Sequence, residues 1–420
     1  MQHNKQFDII VFGASGFTGA RICSYIARRA QPETRIAVAG RNQKHLEDLL
    51  SELKVSWNII TASYEVPSTI SEMASRGRVI INCVGPYRHF GLALPEACIH
   101  AHTDYIDVCG EPEFLERTQL ELHDLASAAG ALVVGSCGFD SVPSDLGAWC
   151  TYHQLLKQGA KSVDSIECFM SLKYGKAGIA VHYPTYESAI YGMANVSKLK
   201  EVRRQLNQRH PSQQNSSTNR NTNIARSSGP RQRLFFDSRV QKWALPFPGA
   251  DSSVLRRSFQ NLAKDAGRRP DISVYSTVSS LLWALIVSIW GTLFMFLTGF
   301  PIARTILLQF PYLFSLGTVS HSGPTEQQIK ETSFEVNIFG QGCTDSSGSI
   351  NILKKSVRVS GPEPGYVATS IIAAECAFVL LSERQKLQFQ GGVLTPALAF
   401  QGSNLIRNLH EAGIRFDVIE

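Results

Sequence analysis

The chain has 420 residues, 44% of them hydrophobic and 18% charged, with a net charge of +6. That length exceeds what one hydrophobic core usually serves, so two domains are expected, and the composition excludes a disordered polyelectrolyte. The basic excess is mild and no Lys/Arg run is interleaved with aromatics, so nucleic acid is not an expected partner; nine scattered cysteines without C-x-x-C or metal-ligand spacing predict a reducing compartment and no metal site.

The first element is a strand, Phe7-Asp8-Ile9-Ile10-Val11-Phe12, which runs into Gly13-Ala14-Ser15-Gly16-Phe17-Thr18-Gly19. Apolar residues then recur at helical spacing at Ile22, Tyr25 and Ile26, giving a strand, glycine turn and helix. Such glycines let backbone N–H groups approach a pyrophosphate at the positive end of the helix, so Gly13, Ser15, Gly16, Phe17, Thr18 and Gly19 are candidate cofactor-binding residues. A second strand, Ile36-Ala37-Val38-Ala39, ends in Gly40-Arg41, where an NAD site would carry an acid. Arg41, with Lys44 three residues on, suits a ribose 2′-phosphate, and the expected cofactor is therefore NADP(H). The competing reading makes both cations solvated charges opening a helix over residues 42–53.

Val79-Ile80-Ile81-Asn82-Cys83-Val84 reads as a strand covered on both faces, and its end, Val84, Gly85 and Pro86, is expected beside the cofactor. Tyr87 follows as the first candidate proton donor, with His89 as a possible shuttle. Helices are predicted over residues 92–101 and 113–129, and strands at Tyr105-Ile106-Asp107-Val108 and Ala131-Leu132-Val133-Val134. Asp107, Glu111, Asp140 and Asp145 form an acidic set, of which Asp107 and Asp140 are the catalytic candidates and Asp145 reads as a helix-start residue. None of the 12 tyrosines has a Lys four residues later, which argues against the Tyr/Lys chemistry of short-chain dehydrogenases.

Together, Gly13–Gly19, Ala39-Gly40-Arg41, Asn82-Cys83-Val84-Gly85-Pro86-Tyr87, Tyr105-Ile106-Asp107 and Gly138-Phe139-Asp140-Ser141-Val142-Pro143-Ser144-Asp145 resemble the saccharopine dehydrogenase-like oxidoreductases in order and spacing. Pro364-Gly365-Tyr366-Val367-Ala368-Thr369-Ser370 and Gly391-Gly392-Val393-Leu394-Thr395-Pro396-Ala397 extend the likeness to the C-terminal region, including the trans-acting enoyl reductase branch. The resemblance implies an N-terminal Rossmann domain, a second domain whose sheet supports a homodimer, and a substrate cleft between them. In saccharopine reductases the loop matching residues 138–145 reads Gly-Leu-Asp-Pro-Gly, and the departure here argues against saccharopine as substrate.

Residues 203–233 are dominated by Gln, Asn, Ser, Thr and Arg and read as a disordered polar insertion. No Asp, Glu, Lys or Arg occurs from Ile272 to Ala303, roughly 30 residues against the roughly 20 that a spanning helix needs. Gly299-Phe300-Pro301 breaks this run, a second apolar arm follows to Leu316, and Arg256, Arg257, Lys264, Arg268 and Arg269 precede it as a cytosolic flank would. Residues 272–317 are therefore expected to associate with a membrane, as a spanning helix or a one-leaflet hairpin, with a buried core helix as the third reading. Strands are predicted at residues 334–338 and 349–353 and a helix over 368–381.

The expected architecture is α/β, with a Rossmann doubly wound parallel sheet over residues 1–150 and a second α+β domain over 151–420 carrying the apolar segment. The expected function is reduction of a C=C or C=N bond in a small apolar substrate by a protein on a lipid droplet, plasma or organelle membrane, facing the cytosol, with a mitochondrial location left open. The family's animal members, associated with lipid droplets, agree. The alternative is a non-catalytic NADP-binding scaffold of the same surfaces.

Overall fold

The computed structural model describes residues 5–209, 231, 233–266, 269–346 and 349–419. The chain divides into two compact units, one of Met1–Val142 with Pro364–Gly413 and the other of Pro143–Glu363 with Ile414–Glu420.

In the first unit β1 (Phe7–Phe12), β2 (Ile36–Gly40), β3 (Asn58–Thr61), β4 (Gly77–Asn82), β5 (Asp104–Asp107), β6 (Leu132–Val134) and a last strand, Gly392–Leu394, form one parallel sheet. From edge to edge the order is Gly392–Leu394, β6, β5, β4, β1, β2, β3, so the direction of winding reverses between β1 and β4. Every residue of β1 and β2 is buried, which is why these strands are unbroken apolar runs rather than alternating ones. Helix α1 (Phe17–Arg29) turns Gly19, Ile22, Cys23 and Ile26 inward, and α2 (Gln43–Leu53) turns Leu46, Leu49 and Leu50 inward. The sequence pattern missed β3, whose four residues alternate too briefly to register.

The expected boundary at residue 150 is corrected in two ways. The first unit ends at Val142, and residues 364–413, expected in the second domain, complete its sheet. Gly392–Leu394 pairs in parallel with β6, and the apolar helix Thr369–Glu383 is buried along most of its length, so its composition reflects a core position. Arg384 anchors this return. Its Nε donates to Asp104 Oδ2 at 2.7 Å and its Nη2 donates to the carbonyls of Gly130 and Gln390, while Asp104 Oδ1 accepts from Leu132 N–H. Both side chains are almost wholly buried.

The second unit holds a mixed seven-stranded sheet in the order Arg415–Ile419, Ser349–Pro362, Ser333–Ser346, Ser162–Lys173, Asp271–Val278, Lys242–Pro246, Phe235–Asp237. Only Ser162–Lys173 and Asp271–Val278 run parallel. Helix Val142–Lys157 backs this sheet at close range, because any side chain at Gly147 would collide with Ile338.

The apolar segment is not one element. Its first residues form the strand Asp271–Val278, which corrects the expected start of a membrane segment at 272. Helix Leu281–Thr298 follows, then Pro301–Gln309 and Pro311–Phe314, with proline opening each of the last two. Of the expected polar insertion, residues 203–209 complete the helix Val196–Arg209, while residues 210–230 and 232 lie outside the described residues.

Replacing Arg384 by Met leaves the Asp104 carboxylate buried without its cation, a change that costs about 3–5 kcal/mol. Chemical denaturation of Arg384→Met is expected to show a loss of that size in unfolding free energy, and a loss below about 1 kcal/mol would show that the pair does not anchor the return.

Candidate functional site

The loop after β1 is shaped by contacts only glycine permits. Gly13 has φ +82°, in the left-handed region, and a Cβ there would stand 2.8 Å from Val84 Cγ2. A Cβ on Gly19 would collide with the Gly13 carbonyl oxygen, so the first turn of α1 presses directly onto the loop. Gly16 N–H donates to the Gly13 carbonyl at 3.0 Å and closes the turn. Gly16 is also the N-cap of α1, where no side chain supplies a capping hydrogen bond and no acid occupies the first turn. The positive end of the helix is thus left to an external anion. Ser15 and Gly16 are exposed, Phe17 and Thr18 half-buried, and the Phe17 ring is held edge-on to Tyr366 at 4.7 Å.

At the end of β2, Gly40 is buried while Arg41 and Lys44 are exposed. Asn42 caps α2 by accepting from His45 N–H, and no acid lies in the first turn of that helix. Among the described residues neither Arg41 nor Lys44 has a carboxylate partner. The glycine cradle, the uncapped helix start and two unpaired cations one strand away fit a dinucleotide carrying an extra phosphate on its ribose.

At the end of β4, Asn82 organises the next loop, a role the sequence reading missed. It is buried; its Oδ1 accepts from Val84 N–H at 3.0 Å, and its Nδ2 donates to the hydroxyls of Tyr105 at 3.0 Å and Tyr64 at 3.3 Å. Its carbonyl accepts the Tyr87 hydroxyl proton at 2.8 Å, and the same Tyr87 oxygen accepts from Val108 N–H at 3.3 Å. Val84 is half-buried, Gly85 exposed and Pro86 buried, with a cis peptide between the last two.

The expected role of Tyr87 needs revision. Its proton is committed to a backbone carbonyl, and burial, followed by the nearby Asp107 carboxylate, pushes its pKa well above the ordinary phenol value. A phenol so held ties the end of β4 to that of β5 and acts as a positioning residue.

The acidic set separates by environment. Asp107 is buried, and its Oδ1 accepts from Cys109 N–H at 3.0 Å and Ser136 N–H at 2.8 Å, so it fixes the loops after β5 and β6. Glu111, also buried, accepts from Tyr87 N–H at 2.9 Å and Arg88 Nε at 2.6 Å. Asp145 lies inside the first turn of helix Val142–Lys157, past the N-cap position expected for it, and accepts from Ser258 Oγ at 2.6 Å. Asp140 differs from all three: it is exposed, and its carboxyl, packed against Gly110, has no hydrogen-bond partner among the described residues. Although this side chain reaches the surface, the protein packed around its carboxyl disfavours the charged form and raises its pKa. His89 is exposed. Among the described residues no group of His, Cys, Asp and Glu side chains is placed to hold a metal ion.

A family model described as the saccharopine dehydrogenase NADP binding domain matches residues 9–134. A human saccharopine dehydrogenase-like oxidoreductase is 35% identical to this chain, over 99% of it and 98% of the relative. A lipid droplet localized protein of Caenorhabditis elegans is 30% identical over 99% and 98%, and a putative trans-acting enoyl reductase of Mycobacterium tuberculosis is 32% identical over 98% and 97%. Among solved structures, a saccharopine dehydrogenase of Saccharomyces cerevisiae superimposes with a TM-score of 0.56 over 99% of this chain and 100% of that one, a likeness of fold at 11% identity.

A charged hydrogen-bond partner for a phosphate contributes about 1.5–3 kcal/mol. Calorimetric titration of Arg41→Asp is therefore expected to show NADPH binding weakened by roughly 10- to 150-fold while NADH binding changes little. Equal affinities of wild type and variant for NADPH would remove Arg41 from the site.

Proposed function

The chain belongs to the saccharopine dehydrogenase-like oxidoreductases and binds NADP(H), and from that premise we propose that it reduces a C=C or C=N bond of an apolar, lipid- or polyketide-like substrate at the surface of a lipid droplet or membrane. The observation that carries this reading is an apolar surface on a domain that is otherwise water-facing. Along helix Leu281–Thr298 and its successors, Leu282, Ile289, Phe296, Ile302, Tyr312 and Leu313 are each at least 64% exposed. Monomers in water rarely leave so continuous an apolar patch bare.

The same helix is held to its unit at both ends. Ala284 near its start and Phe294 and Thr298 near its end are buried, and the Phe294 ring packs 5.7 Å from that of Tyr186 on helix Tyr183–Ala194. The Tyr186 hydroxyl donates to the Leu307 carbonyl on the next apolar helix at 3.2 Å. A helix fixed in this way lies along the unit's surface, which supports insertion into one leaflet or a droplet monolayer in preference to a span. The names of the relatives agree, since one is a lipid droplet localized protein and another a putative enoyl reductase.

NADP(H), when bound, supplies the hydride. The chain's share is to hold the pyrophosphate on the bare start of α1, to hold the ribose phosphate by Arg41 and Lys44, and to set the loop Val84-Gly85-Pro86 through Asn82 and Tyr87. Asp107 and Glu111 keep the neighbouring loops in place by accepting backbone hydrogen bonds. Of the catalytic candidates, Asp140 is the proton donor in this proposal, because its side chain reaches the surface while its carboxyl is without a hydrogen-bond partner among the described residues and is biased toward the neutral form.

NADPH consumption by the vesicle-bound protein is expected with membrane-embedded enoyl thioesters or cyclic imines, and Asp140→Asn is expected to lower turnover by about 10²- to 10⁴-fold without weakening NADPH binding. Tight NADPH binding with no acceptor-dependent oxidation would replace the enzyme by the scaffold reading. Unchanged turnover in Asp140→Asn would remove that residue.

Each large side chain of the apolar face gains roughly 1–2 kcal/mol on leaving water, given its partial exposure. The double substitution Ile289→Glu with Phe296→Glu is therefore expected to cut co-flotation with vesicles or isolated droplets by more than about tenfold. Undiminished flotation would place the membrane contact elsewhere.

A further inference from the structure

The helix Tyr183–Ala194 clamps the apolar face from behind, through Tyr186 to Phe294 and to the Leu307 carbonyl, and a small core of Tyr186, Ile190, Phe294, Leu307 and Val319 forms between them. It ends at Asn195, whose Nδ2 donates to the Tyr191 carbonyl at 2.9 Å. Directly from this end runs a second helix, Val196–Arg209. Its inward stripe is Leu199, Val202 and Leu206, spaced three and four apart, with Val202 buried and the other two half-buried. Every other side is polar, and Lys198, Lys200, Arg203, Arg204 and Arg209 are all exposed.

The charge balance of this region is one-sided. The basic helix carries one acid, Glu201, which pairs with Arg204 at 2.8 Å, and the clamp helix carries one more, Glu187. Residues 272–316 contain no acid, and their single charged residue is Arg304. An exposed basic helix is thus joined through one residue to the clamp of an exposed apolar face, with almost no carboxylate to repel an anion.

We infer that the basic helix Val196–Arg209 and the apolar face of residues 281–316 form one docking surface for a phospholipid layer rich in anionic headgroups. The helix supplies headgroup attraction and the face supplies insertion. This rests on the lipid-surface reading above and deepens it, because an apolar face alone has no preference between neutral and anionic lipid. The cations begin at Lys198, and the helix that carries them is linked to the clamp helix by a single residue, Asn195. Each basic side chain close to an anionic leaflet raises partitioning by about fivefold, and the effect fades beyond a Debye length.

The test is flotation of the full chain with two vesicle populations, phosphatidylcholine alone and phosphatidylcholine with phosphatidylserine, comparing wild type with Lys198→Glu/Lys200→Glu/Arg203→Glu. Wild type is expected to prefer the anionic vesicles, and the triple variant to lose binding to them by on the order of a hundredfold, with unchanged binding to the neutral vesicles and unchanged NADPH affinity. Equal binding of wild type to both populations overturns the inference and leaves the apolar contact standing. Loss of the variant from neutral and anionic vesicles alike also overturns it, by assigning the helix a structural role. Absence of wild type from both populations overturns the lipid-surface reading itself.

Discussion

The first unit depends on a steric constraint at the end of β1: the chain must leave the strand, turn and enter α1 without a side chain at Gly13 or Gly19. The Gly13 carbonyl accepts from Gly16 N–H on one side and touches the α carbon of Gly19 closely enough to exclude a Cβ on the other. The Val84 side chain closes the remaining space above Gly13, so the cradle is defined jointly by the ends of β1 and β4. These are the two strands at which the winding direction reverses, and there the connecting segments diverge to opposite faces and leave a crevice. Strand order, glycine placement and the bare start of α1 are three expressions of one geometry.

Around that crevice the buried polar groups serve mainly to hold backbone. Asp107 and Glu111 each accept from two N–H groups or from an N–H and a guanidinium, and Asn82 uses carbonyl, amide oxygen and amide nitrogen together. A buried N–H left without an acceptor costs about as much as a lost hydrogen bond, so loops that cannot enter a helix or sheet need such side chains to keep a defined path. The arrangement also explains the reassignment of Tyr87. A residue can occupy the expected position beside a cofactor loop and still have its proton committed elsewhere, because its hydroxyl already donates within the scaffold.

Much of the Rossmann sheet was legible because its strands are continuous apolar runs ended by glycine, and NADP(H) was legible because an acid is absent where an NAD site would require one. What remained hidden has particular causes. The return of residues 364–413 rests on a three-residue strand and on Arg384 reaching Asp104 across 280 positions, and neither leaves a local pattern. Asn82 showed only as a polar interruption of a strand, since its importance lies in Tyr64 and Tyr105, which no spacing rule connects to it. The strand Asp271–Val278 was absorbed into the apolar segment because lack of charge is shared by buried strands and lipid-facing helices, and hydropathy alone does not separate them.

Two apolar helices among the described residues make the same point from opposite sides. Among the described residues the helical run Pro364–Lys386, which contains Thr369–Glu383, and the helix Leu281–Thr298 are long and apolar enough to cross a membrane, yet the apolar window of the first is 72% buried within the protein and that of the second 17%. Composition is therefore shared, and packing decides. Thr369–Glu383 has a sheet to cover it and becomes core. Leu281–Thr298 packs against the helices Tyr183–Ala194 and Pro301–Gln309 and the strands Lys242–Pro246 and Asp271–Val278, and it buries Ala284, Phe294 and Thr298 but leaves Leu282, Ile289 and Phe296 facing outward. Because the inward contacts fix the helix without covering it, the outward face is a stable property of the folded unit, and leaving it in water carries a large hydrophobic cost.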